Sequence, residues 1–231
     1  MAVQHLTDCS LTVVEGPWGF AREHCGAIAQ NWEAAHARNP KLFNGSVYVT
    51  EAWTVEHGRL IGRSIKTTFA AYLYWRDVRA SDDQYEEAFA TTVVISQDGG
   101  ILLARSVAGT LNEGLYGSPG GLLDERDVRA DGQFDIADAA ARELAEETGL
   151  HGAQLRREAG FLFAHVSPYL ALASVYRCAL TCDELLAVLG CHLAASPEPE
   201  LEAPIMVHAR SELDELALVP AARLLCEHVL D

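Results

Sequence analysis

Hydrophobic residues recur along this chain with two different periods, and the switches between them divide it into strands and helices. Residues 46–50 and 59–64 alternate and are rich in β-branched side chains, with Glu56-His57-Gly58 as a turn, so a β-hairpin is expected. A second hairpin is expected from residues 90–96 and 101–105, joined by Gln97-Asp98-Gly99-Gly100. Residues 159–166, 170–177 and 204–208 read as three further strands. Helical spacing marks residues 17–38, which stop at Asn39-Pro40; 69–75 reads as a short helix or a buried segment, and helical spacing returns over 135–148, 183–189, 211–217 and 220–229. The last of these carries an apolar face of Ala221, Leu224, Leu225 and Val229. Residues 122–134 lack a period and read as a loop, 196–202 as an acidic loop, and the polar stretch 81–87 as a linker. The pattern predicts an α+β chain with a mixed sheet, divided into an N-terminal extension of helix and hairpin (1–85) and a larger domain (86–231).

The helix over 135–148 breaks local rules. Asp135 with Asp138 forms a variant of the N-terminal capping box, and Gly149 suits a left-handed C-terminal cap. Glu143, Glu146 and Glu147 stand at i, i+3 and i+4, so their carboxylates share one face within a single turn. They also sit at the negative end of the helix dipole, where anions are disfavoured. Clustered hard oxygen ligands of this kind are what Mg²⁺ or Mn²⁺ would neutralise. Such a departure from local preference points to function.

Composition narrows the reading. A hydrophobic fraction of 49% in 231 residues is ample for a core, and a formal net charge of −16 offers no basic patch to nucleic acid or to an anionic membrane. The N-terminus lacks a basic and apolar leader pattern, and no stretch reaches the ~20 apolar residues of a membrane span, so a cytoplasmic protein is expected. Cys9, Cys25, Cys178, Cys182, Cys191 and Cys226 are scattered through the chain and read as reduced thiols. The set Cys178, Cys182 and Cys191-His192 matches no recognised zinc spacing, and His24 and His36 have no spaced partner. The aromatic residues of 69–75 read as packing rather than as a shelf for a base.

Gly120-Gly121, a loop, and a capped helix ending Arg142-Glu143-Leu144-Ala145-Glu146-Glu147-Thr148-Gly149-Leu150 together resemble the signature of the Nudix hydrolase superfamily. The second half of that signature is matched at every specified position. In the first half, twenty residues separate Gly121 from Arg142 where the family pattern has thirteen, and Phe134 occupies the place of the family's first Glu. Asp127, Asp135 or Glu125 is then the acid that would steady Arg142.

The resemblance implies a mixed sheet between helix layers (α/β/α). It implies that Glu146 and Glu147, joined by Glu143 and a backbone carbonyl of Gly120 or Gly121, hold Mg²⁺ (or Mn²⁺). A general base is expected from the acidic loop Glu198, Glu200 and Glu202, with Glu200 or Glu202 preferred, and Arg105 and Asn112 are candidates for phosphate or sugar contact. The implied reaction is hydrolysis of the pyrophosphate bond of a nucleoside diphosphate derivative, releasing a nucleoside monophosphate. Asn39-Pro40-Lys41-Leu42-Phe43-Asn44-Gly45 looks faintly like the extension of members acting on UDP-sugars, which puts nucleoside diphosphate sugars ahead of ADP-ribose and dinucleotides. The alternative is a non-catalytic Nudix-like domain that senses a nucleotide. A homodimer is compatible with either.

Overall fold

The computed structural model describes residues 2–79 and 84–231. Contacts group the chain into two units, one of Met1–Asp8, Phe89–Gly121 and Ile136–Asp231, the other of Cys9–Ala88 and Leu122–Asp135. In chain order the first half runs β1 (Gln4–Leu6), β2 (Asp8–Val14), α1 (Gly19–Glu23), α2 (Cys25–Arg38), β3 (Ser46–Glu56), β4 (Arg59–Thr68) and α3 (Phe69–Val78). After it come β5 (Glu87–Ile95), β6 (Ile101–Ser106), β7 (Tyr116–Gly117), β8 (Gly120–Leu122) and α4 (Ile136–Thr148). The chain ends with β9 (Leu155–Arg157), β10 (Phe161–Val166), β11 (Tyr169–Cys178), α5 (Cys182–Ala195), β12 (Leu201–Val207), α6 (Arg210–Leu213) and α7 (Pro220–Val229).

In the Cys9–Ala88 and Leu122–Asp135 unit, the expected hairpin forms between β3 and β4, and β2 completes a three-stranded sheet in the order β2-β4-β3. The single helix expected over 17–38 is two helices, α1 and α2, because His24 leaves helical geometry at φ −104°, ψ 19°. Thr68 caps α3, its hydroxyl accepting from the Ala71 N–H. Tyr72 and Trp75 on that helix are fully buried, and Trp18 packs edge-on to Trp75 and Tyr85, so these aromatics form core.

The stretch 122–134 is more than a loop. It contains a 3₁₀ turn at Glu125–Asp127, and it pairs with β2: the Phe134 N–H donates to the Leu11 carbonyl at 3.0 Å and the Val13 N–H to the Gly132 carbonyl at 2.8 Å. Phe134 is 2% exposed and meets the Tyr48 ring edge-on at 4.9 Å. The expected linker 81–87 lies partly outside the described residues. Its last two residues are buried sheet: Glu86 exchanges backbone hydrogen bonds with Thr50, and Glu87 opens β5.

The other unit is built on a sheet ordered β1-β10-β11-β5-β6-β12, with β7, β8 and β9 paired alongside β6, β5 and β11. Alternation along the strands explains its two apolar faces. Val93, Ile95, Ile101, Leu103, Ala171, Ala173 and Val175 pack with Leu213 of α6 and with Ala221 and Leu225 of α7. Val94, Leu102, Tyr176 and Cys178 turn the other way, against Leu144 of α4 and Leu185 and Leu189 of α5. Each fully buried Leu, Ile or Val contributes roughly 1.5–3 kcal/mol. The expected α+β sheet between helix layers is therefore present. The helix expected over 183–189 extends to fourteen residues, held at its start by a reciprocal Thr181–Glu184 capping box, whereas that over 211–217 shrinks to four. All six cysteines are free thiols, and among the described residues no helix is long and apolar enough to cross a membrane.

Candidate active site

Helix α4 buries Ile136, Ala139, Ala140 and Leu144, which aims Glu143, Glu146 and Glu147 away from the core. It closes at Thr148, and Gly149 follows at φ +72°, the left-handed conformation that its sequence position predicts. The three glutamates line a cleft of about 80 Å³ with His192, Leu193, Ser196, Glu198, Pro199 and Glu200. The glycine pair is shaped to them. The Gly120 N–H donates to the Glu147 carboxylate at 2.9 Å. A Cβ on Gly121 would lie 2.7–2.9 Å from the Glu143 carboxyl group, and one on Gly120 would lie 2.5 Å from the Ala90 carbonyl oxygen. A side chain at Gly120 would press on the β5 backbone, and one at Gly121 would displace the Glu143 carboxylate.

Burial pushes the Glu147 carboxyl up to about 8, against the Gly120 N–H, which favours the charged form; Glu143, Glu200 and Glu146 add to the rise. Burial also raises Glu143, opposed by Arg142 and reinforced by Glu146 and Glu200. The cleft thus gathers more negative charge than its own residues neutralise. Arg142 is the cation at hand, donating to Glu143 at 2.6 Å and to Glu146 at 3.2 Å. Among the described residues, no three His, Cys, Asp or Glu side chains already converge as a metal-binding group. In kind, however, the donors fit: carboxylate oxygens in one polar cleft suit a hard divalent cation that retains several waters.

The other residues singled out in the sequence are divided between the cleft and other places. Glu198 and Glu200 line the cleft. Glu202 lies not in the acidic loop but in β12, opposite Arg105 of β6, whose guanidinium donates to it at 2.9 Å. Asn112 offers its backbone carbonyl to the Leu115 N–H. Neither Arg105 nor Asn112 is among the cleft-lining residues. Of the acids proposed to steady Arg142, Glu125 accepts from Ser46 and Lys66, Asp127 takes part in the capping box of the 3₁₀ turn with Asp124, and Asp135 donates its N–H to the Asp127 carbonyl. Sequence reasoning passed over His192 as a site residue; a lone histidine on an amphipathic helix carries no spacing signal.

The NUDIX domain family model matches residues 86–229. The chain belongs to the NUDIX family. As such it is a Nudix-type pyrophosphohydrolase, and α4 with its glutamates is the Nudix-box helix. No curated protein matches the chain. Similar solved structures include the Nudix hydrolase RenU from M. smegmatis (17% identity, 62% of this chain and 82% of that one, TM-score 0.39). A MutT protein from Methanosarcina mazei Go1 is similar at 19% identity over 62% of this chain and 92% of that one, TM-score 0.41. The NUDIX domain of Shewanella oneidensis NrtR, solved with ADP ribose, is similar at 16% identity over 70% and 96%, TM-score 0.39. At these values the likenesses add nothing to the family match.

Proposed function

We propose that this Nudix protein hydrolyses the pyrophosphate bond of a nucleoside diphosphate sugar in a reaction dependent on Mg²⁺ or Mn²⁺, with ADP-ribose-type compounds as the next substrate class. One observation carries the reading. Glu143, Glu146, Glu147 and Glu200 gather around a single cleft, where burial and then the neighbouring carboxylates raise the proton affinity of Glu143 and Glu147; in a chain of net charge −16, a polyanionic substrate can enter such a site only with bridging cations. The 39–45 stretch is what favours the sugar derivatives.

In this reading Glu143, Glu146 and Glu147 hold the cation, which when bound neutralises the diphosphate and acidifies the attacking water. Glu200 is the general base: it lines the cleft, whereas Glu202 is engaged by Arg105. Glu200 takes the proton of the water as its oxygen bonds to one phosphorus, and the bridging P–O bond breaks to release a nucleoside monophosphate and a phosphorylated remainder. Gly120 and Gly121 leave the carboxylates room to stand against the backbone. Residues 86–231 form the catalytic domain and residues 1–85 its extension. The six free thiols favour a reducing compartment such as the cytoplasm.

The test is to incubate purified protein with Mg²⁺ or Mn²⁺ and a panel of nucleoside diphosphate sugars, ADP-ribose and dinucleotides, scoring released monophosphate beside a Glu147→Gln control. Turnover of a sugar derivative that Glu147→Gln abolishes is expected. Turnover unaffected by that substitution overturns the site, and turnover confined to dinucleotides overturns the substrate class.

A further inference from the structure

We propose that His192 is a positioning residue that clamps the last turn of α4 and thereby sets the carboxylates of Glu146 and Glu147; the proposal rests on the cation-binding reading of that face. The last carbonyls of a helix have no partner within it, and an end left unsecured frays. Here the Glu147-Thr148-Gly149 end is secured from another element. His192 Nε2 lies 2.9 Å from the Glu146 carbonyl oxygen. A carbonyl only accepts, so Nε2 carries the hydrogen and donates it.

The same ring packs on the glycine that ends the helix: a Cβ built on Gly149 would lie 2.8 Å from His192 Nδ1 and 3.0 Å from its Cγ. Gly149 therefore serves twice, supplying the positive φ and leaving a seat for the imidazole. His192 stands on α5, whose Leu185 and Leu189 are fully buried in the cluster that contains Leu144 of α4. The donor is thus carried by a helix packed in the core. The ring also lines the cleft beside all three glutamates, yet the hydrogen bond shown for it goes to the backbone of the turn that bears them. A group bonded directly to a ligating side chain typically changes metal affinity by about 10- to 100-fold when removed, and a clamp acting through the backbone of the ligand turn should fall at the lower end of that range.

Two variants separate the donor from the shape. His192→Phe keeps a ring against Gly149 and removes the N–H, while His192→Gln restores a donor near the position of Nε2. Mn²⁺ binding to the full-length protein, counted as loss of the free-ion electron paramagnetic resonance signal, should weaken by about 10-fold or more in His192→Phe and recover in His192→Gln. Amide hydrogen exchange of residues 147–150 without metal should accelerate in the Phe variant and return towards wild type in the Gln variant. Under saturating metal, kcat should change less than the metal concentration giving half activity. Unchanged exchange in His192→Phe overturns the clamp whatever the metal result. Wild-type protein that binds no Mn²⁺ overturns the cation-binding reading, and with it the role of the clamp in that site. Normal wild-type binding with His192→Phe unaltered overturns the positioning role alone.

Discussion

Glu147 and Glu87 are both withdrawn from water and both hold their protons more tightly than an ordinary carboxyl, Glu147 up to about 8 and Glu87 up to about 7. Their surroundings are opposite in character. Glu87, 6% exposed at the start of β5, accepts a hydrogen bond from the Tyr72 hydroxyl, and Arg76 and Arg79 also favour its charged form. Glu147 receives one backbone N–H and otherwise faces the carboxylates Glu143, Glu200 and Glu146. The first site carries its own compensation. The second concentrates like charge, which Arg142 offsets only in part through Glu143 and Glu146. Raised proton affinity alone therefore does not distinguish an active-site acid from a structural one; the sign of the neighbours does.

The largest expected effect breaks this comparison at Glu147. Glu147→Gln should cost several kcal/mol of transition-state stabilisation, on the order of 10³-fold in kcat, measured by monophosphate release. Because a ligand must be deprotonated to bind metal, loading the wild type with Mg²⁺ near neutral pH should also release about one proton. Calorimetry in buffers of different ionisation enthalpy reads that proton. It should be absent in Glu147→Gln; a buffer-independent heat in the wild type would place Glu147 outside the metal set.

The glutamate face was legible in the sequence because helix geometry is local: i, i+3, i+4 spacing and a terminal glycine place the carboxylates without knowledge of any distant residue. The stretch 122–134 was not legible because its order comes from far away. Ser10 donates to Gln133 across 123 positions, and Phe134 rests on Tyr48. β2 escaped as well, although Cys9 and Leu11 alternate and are buried, since so short a run gains its ladder from β4 on one side and from the distant 122–134 stretch on the other. Phe134 is the sharpest test of the packed reading. Phe134→Ala should lower unfolding free energy by about 3 kcal/mol or more by urea titration. A loss below about 0.5 kcal/mol, usual for a surface site, would mean that the stretch is a solvated loop after all.

A smaller effect separates Glu200 from Glu202, which one residue of sequence could not. The register shift in β12 between Glu202 and Ile205, with Ala203 at φ +45°, accompanies the pairing of Glu202 with Arg105 across to β6, while Glu200 remains among the cleft residues. Glu200→Gln should reduce kcat by about 100-fold, the lower end for a general base, with Glu202→Gln near wild type. The reverse order would move the base to the strand and leave Glu200 as one more charge around the cation.

Glu87 supplies the smallest effect, and its sign decides what kind of site it is. Its folded value, about 7, lies above the ordinary 4.5, so between these values the folded chain holds a proton that the unfolded chain has lost. Stability then falls as pH rises from about 4.5 to about 7 and levels off above. The fall amounts to at most about 3.5 kcal/mol, from about 1.4 kcal/mol per pH unit across the window. Glu87→Gln cannot ionise. It keeps an acceptor for the Tyr72 hydroxyl but adds amide hydrogens that need partners at every pH, so it should be about 1.5 kcal/mol less stable than wild type at pH 4 and about 2 kcal/mol more stable at pH 8. Urea unfolding at the two pH values measures both. If the two proteins instead lose stability in parallel across the window, Glu87 is ionised in the fold, Arg76 and Arg79 outweigh its burial, and the contrast with Glu147 becomes one of paired against unpaired charge.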